Sequence, residues 1–149
     1  MSLYPAWSQP KAIPIAFKPE DPELYFAFFQ YHGALDQQIQ ASNSAAAAQL
    51  TSNAAALYHT TAADFAKLTT EVRAHMVEFA AWQVPVQAYY DKLHASKQLP
   101  DVNIIKAFQF QRQALVKARY DSIHQALSSA SWNGLHTYIN GDFKLGVKP

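Results

Sequence analysis

The sequence predicts an all-α protein: a mostly antiparallel bundle of four main helices plus a short C-terminal helix, preceded by an extended, proline-rich N-terminal arm. Three observations predict it. Beyond residue 21, apolar residues recur at steps of three and four, the spacing that lines one face of a helix. Glycine is scarce, at four in 149 residues, where a turn-rich β-fold would need many more. Five of the eight prolines, Pro5, Pro10, Pro14, Pro19 and Pro22, fall in the first 22 residues, so helix is barred at that end and an extended or polyproline-like path is favoured.

The arm, residues 1–20, also carries Tyr4, Trp7, Ile13, Ile15 and Phe17. That is too much apolar surface for a free leader, and the arm is expected to strap across the bundle. One domain over residues 21–141 follows, and residues 142–149, "DFKLGVKP", read as a tail.

Each helix has its own start signal. Asp21 is placed to cap helix 1, Pro22 suits its first position, and Glu23 complements the N-terminal dipole. Leu24, Phe28, Tyr31, Leu35 and Ile39 form its stripe, and Phe26 and Phe29 widen it, so contact from more than one side is expected. A break at Ser42 to Ser44 leads to an Ala-rich second helix, Ser44 to His59, in which Leu50, Ala54, Leu57 and Tyr58 keep helical spacing.

Helix 3 opens at Thr60 or Thr61, with Asp64 completing a capping-box-like turn. Phe65, Leu68, Val72, Met76, Phe79, Val86, Tyr90 and Leu93 hold one face, and the phase survives Pro85. An interior proline costs about 3 kcal/mol, so the pattern predicts a kink near Ala81 to Val84 and no termination. "SKQLPD" then breaks the chain, and Asp101 caps helix 4, whose stripe is Val102, Ile105, Val116, Tyr120, Ile123 and Leu127. The short loop makes helices 3 and 4 an antiparallel hairpin. In the last helix Ser129 caps, Trp132, Leu135 and Ile139 pack, and Gly141 ends it.

Composition removes several function classes. Twelve basic and eleven acidic side chains give a net charge of +1 with no concentrated run, so there is no electrostatic footprint for nucleic acid or an anionic membrane. No apolar run approaches the roughly 18 residues needed to cross a bilayer, and no membrane insertion of this chain is expected. Zero cysteine eliminates disulfides, thiolate catalysis and thiolate zinc sites. There is no Gly-x-Ser-x-Gly, no Ser–His–acid set in a strand–turn–helix context, and no glycine-rich phosphate loop. No catalytic residue and no cofactor are therefore assigned.

One constellation carries chemistry. Glu71, His75 and Glu78 stand at i, i+4 and i+7 on the shoulder of helix 3's apolar face. Read as a metal site, they would be joined by His32 of helix 1. A di-iron bundle needs Glu-x-x-His pairs and further glutamates on other helices, however, and the chain has only Glu20, Glu23, Glu71 and Glu78.

Read as a polar seam, they face Arg112 and Arg119, seven residues apart near helix 4's apolar centre. In an antiparallel hairpin, residues at matching height have a constant index sum; Glu78 with Arg112 and Glu71 with Arg119 both give 190, against about 196 for a loop centred near residue 98. The seam reading pairs them so, with His75 hydrogen-bonded between. A cavity beside Arg112 and Arg119 could instead hold an anionic ligand. His32 with Asp36, Asp91 with His94, and Asp121 with His124 read as pairs on exposed helix faces.

Two stretches, "LYFAFFQYHGALDQQI" and "QRQALVKARYDSIHQALSSASWNGLHTYINGDFKLGVKP", resemble an uncharacterised family of exported, all-helical proteins of soil bacteria. In that family an Arg-bearing helix precedes a short helix containing "F/W-x-x-L/F-x-x-Y/F-I/V". The resemblance covers Leu24 to the C-terminus and implies the helical fold and export, with no activity attached. Thirteen Gln against four Glu, and "MSL" before "YPAW" reading as a scar in place of a removed signal peptide, also point to an extracytoplasmic location, periplasmic or secreted.

The expected function is therefore non-catalytic: binding to an unknown protein partner, or self-association, using part of the aromatic excess. A metal-binding or metal-sensing protein is the alternative. A binder of an anionic small molecule, or an enzyme, with its pocket between helices 1, 3 and 4 is the third.

Overall fold

Every helix starts where a short polar side chain meets the first free backbone amides. The side chain of Asp21 accepts from the Glu23 amide, Asn43 from Ala46, Thr61 from Asp64, Asp101 from Asn103, and Ser128 from Ser131. Each bond satisfies a donor that the helix itself leaves orphaned. The computed structural model describes residues 21–149, and among them it contains α1 (Pro22–Ala41), α2 (Ser44–Leu57), α3 (Ala62–Ser96), α4 (Val102–Ala126) and α5 (Ser129–Tyr138), with no strand. A π-helical turn, Ile139–Phe143, follows α5. The proline-rich arm and its expected path lie outside the described residues.

The chain is an all-α bundle built around α1. Tyr25, Phe28, Phe29 and Leu35 of α1 are buried against Phe65, Leu68 and Val72 of α3, Val116 and Ile123 of α4, and Trp132, Leu135 and Tyr138 of α5. Its rings meet neighbours edge to face, the arrangement the aromatic quadrupole favours: Phe28 lies 5.3 Å from Tyr58 and 5.4 Å from Phe143 between centroids. Much of the aromatic excess is thus core.

The turn between α2 and α3 is tightly held. His59 takes a left-handed conformation (φ 58), and α5 lies so close that a Cβ on Gly134 would sit 2.6 Å from both the Cβ and the carbonyl oxygen of His59. Only glycine fits there. The Thr61 amide donates to Ser131 Oγ at 3.3 Å, and Ser128 Oγ donates to the Asp64 carboxylate at 2.6 Å, so α3 and α5 start from a shared capping cluster. That bond holds the Asp64 carboxyl down to about 2.

Five expectations change. Helix 3 runs unbroken through Pro85 for 35 residues, yet its stripe is buried only at Phe65, Leu68 and Val72, and no residue of α3 after His75 is fully buried. The reason is length. α1 begins at Pro22, with Phe26 5.1 Å from Phe79, and the hairpin continues past that level with no described element covering it. For the same reason Val102, assigned to helix 4's core stripe, is 61% exposed, while Ala107 and Phe108 are buried instead.

The last helix is capped by Ser128, one residue before the expected Ser129, and Gly141 does not end the helical path. The wider π turn carries Ile139 and Phe143 into the core, and the left-handed residue is Gly146 (φ 91). Residues 142–149 are accordingly docked: Tyr138 Oη donates to the Val147 carbonyl at 2.6 Å, and the Lys148 ammonium lies 5.5 Å above the Tyr31 ring. No helix among the described residues is long and apolar enough to cross a membrane.

Candidate functional site

The charged residues of the α3–α4 interface converge on one guanidinium. Glu71 and Glu78, two turns apart on α3, stand about 10 Å apart along the axis, and the planar fork of Arg119 spans them from α4. Nη1 donates to Glu71 Oε2 and Nη2 to Glu78 Oε1. Ser122 Oγ, one turn on from Arg119, donates to the same Glu71 oxygen at 2.8 Å.

Arg112 is elsewhere. Its Nη2 donates to Glu23 Oε1 of α1 at 2.6 Å, and its guanidinium lies 4.6 Å over the Phe26 ring. The expected Glu78–Arg112 pair does not form, because the first turn of α1 supplies both a carboxylate and an aromatic face at that height.

His75 corrects the seam further. It is fully buried, and neither ring nitrogen has a hydrogen-bond partner. Its ring lies 5.0 Å from Phe29 and stacks nearly parallel on Phe79, with Phe26 on a third side. Burial, reinforced by the Arg119 charge, lowers its pKa to about 4, so the imidazole is neutral.

His32 and Asp36 are buried too, against the exposed pairing expected of them, because α2 and α3 pack over that face of α1. His32 Nδ1 lies 3.2 Å from Tyr58 Oη and Nε2 3.0 Å from Thr69 Oγ1. Asp36 takes a bidentate pair from Arg73 Nε and Nη2 at 2.7 and 2.9 Å. The Arg73 pairing, with Gln40 as a further donor, keeps the Asp36 carboxyl below its usual range, and burial lowers His32 to about 4. Sequence reasoning missed the Asp36–Arg73 bridge. The signal was present: a carboxylate between Leu35 and Ile39, on the apolar arc of α1, needs a cation. Asp91 and Asp121 also take other partners, Gln87 and Lys117, and His124 stacks on Trp132 at 4.4 Å.

The four metal candidates therefore do not share a site. Glu71 and Glu78 face Arg119, His75 faces rings, and His32 faces two hydroxyls; among the described residues no three His, Asp or Glu side chains group to hold an ion. The anion reading also meets an obstacle, since Arg112 and Arg119 both already face carboxylates.

Unsatisfied surface lies farther along the hairpin. A cleft of about 160 Å³ opens between Trp82, Val86 and Tyr90 of α3 and Ile105, Phe108 and Arg112 of α4. Trp82 Nε1 donates to the Phe108 carbonyl at 3.2 Å and fixes one wall. Along the same part of the hairpin, Val84 and Leu99 are 69 and 91% exposed. Comparison with family models, curated proteins and solved structures yields no match.

Proposed function

We propose that this protein is a non-catalytic helical module, exported from a bacterial cell, that acts by binding through the uncovered end of its α3–α4 hairpin. The observation that carries this reading is the exposure of Val84, Leu99 and Val102 on the part of the hairpin beyond the Phe26–Phe79 contact. Single exposed apolar residues are ordinary; a group of them beyond the last core contact marks a surface meant for a partner. The buried chemistry supports it from the other side, since Arg119, Arg112 and Arg73 are each engaged by carboxylates and His32 by hydroxyls. Export rests on the Gln-rich, Glu-poor composition and on the family resemblance.

Self-association is the form of binding to test first. Sedimentation velocity over a wide concentration range should show the native chain growing in mass, while the Val84→Lys, Leu99→Lys double variant stays monomeric with unchanged circular dichroism. If the native chain is monomeric throughout, a photo-crosslinking residue at position 84 in an extract of the source compartment is the second test. Capture of nothing there would end the reading.

A further inference from the structure

Each helix of the hairpin carries a stripe that α1 covers in the body of the molecule and that continues past the start of α1. On α3, Val72, Met76 and Phe79 stand at steps of four and three; Met76 Sδ lies 3.0 Å from where a Cβ on Gly33 would stand, and Phe79 meets Phe26 at 5.1 Å. The same alternation runs on through Gln83, Val86, Tyr90 and Leu93. On α4, Tyr120 meets Tyr25 at 4.9 Å, and from Val116 the stripe runs toward the tip through Arg112, Gln109, Ile105 and Val102 at steps of four, three, four and three.

Steps averaging 3.5 residues keep one line along a helix and suit a helical neighbour. α1 is that neighbour in the body, and beyond Phe26 no described element takes its place. The two stripes stay open there, with the cleft between them and with Tyr90 and Val102 40 and 61% exposed on the same face.

A two-helix face of this kind is half of a four-helix bundle, and a second copy carries the other half. Pairs of identical subunits close by two-fold symmetry, so the face meets itself. From Phe79 to the end of α3 at Ser96 are 17 residues, about 26 Å. Across two helices roughly 20 Å wide, each copy offers about 500 Å² and the pair about 1,000 Å², the size of a weak, reversible interface. Charge permits the approach: between Phe79 and Arg112 the acidic and basic side chains are Asp91, Lys92, Lys97, Asp101 and Lys106, close to neutral in sum. The direction is set by α1, which stands proud of the face below Phe79 and would collide with its own copy in a parallel pair.

We infer that two copies of this chain pair antiparallel through the uncovered face of the α3–α4 hairpin and complete a four-helix bundle. The midpoint of that face falls near residue 88, so Val86 of each copy meets Tyr90 of the other across the two-fold axis. Leu99, at the tip, reaches the level of the second copy's Phe79, whereas Val84, about 200° round α3 from Val86, points away. The dimer rests on the binding proposed above and gives it a partner and a face.

Sedimentation velocity and interchain spin-label distances test it in the full chain, which has no native cysteine. Val86→Lys and, separately, Tyr90→Lys should each weaken association by about 30-fold or more with circular dichroism unchanged. Val84→Lys alone should leave it as it was. Nitroxides on Gln87→Cys, an exposed position near the axis, should lie closer to their own copies than nitroxides on Gln98→Cys, also exposed, which the pairing sets about 30 Å apart along the bundle. Association that survives either lysine substitution with the fold intact would overturn this face and leave self-association standing. Distances at 98 equal to or shorter than those at 87 would overturn the antiparallel order. A native chain that stays monomeric would overturn the dimer and leave the binding reading to its crosslinking test.

Discussion

His75 sits among three phenylalanines with both ring nitrogens unpartnered, so its polarity costs stability and returns nothing. His75→Phe should raise the free energy of unfolding by about 1–2 kcal/mol in a urea titration at neutral pH. The pH dependence follows from the same burial. With folded pKa values of about 4 for His32 and His75 against an ordinary 6.5, the unfolded chain takes up protons first, so stability is complete above about pH 6.5 and falls as pH drops toward 4. His75→Phe should remove roughly half of that slope. Asp64 adds a further loss as pH falls toward 2. Arg119→Met strands Glu71 and Glu78 together; the cost should be about 2–3 kcal/mol, under the 3–5 of a fully buried pair because Glu78 keeps water. The Glu71–Arg119 contact was legible from the sequence, since helix period and hairpin register are both arithmetic. The rings around His75 were not: the wheel puts it on a shoulder, and which neighbour covers a shoulder is a tertiary fact.

At the scale of elements, the helix starts were legible because a cap is a local event between residues two or three apart. Burial along α3 was not, because it depends on where α1 begins. Two substitutions test how the elements are held. Gly134→Ala gains helix propensity worth about 1 kcal/mol, yet drives a methyl into the His59 backbone, so the net should be a loss of about 1–3 kcal/mol, seen as a lower thermal midpoint. Pro85→Ala restores a donor in mid-helix where, among the described elements, α4 alone packs on α3. It should slow amide exchange over residues 82–92 while leaving the global urea midpoint nearly unchanged, because that turn lies outside the cooperative core.

For the molecule as a whole, the all-α class was the most legible feature, carried by periodicity and by the scarcity of glycine. The docking of residues 142–149 was hidden because nothing in "DFKLGVKP" is periodic; its order comes from Tyr138, Tyr31 and the core pocket that receives Phe143. Phe143 lies against Phe28, and Asn140 Nδ2 donates to Tyr25 Oη across 115 residues of chain. A growing chain on the ribosome therefore cannot complete its core when α1 emerges. At translation speeds of about 5–20 residues per second, the ring face of α1 waits roughly 6–23 s for its last neighbour. During that interval the ring face of α1 stays open to water, and the fold cannot close until the last residues of the chain are made.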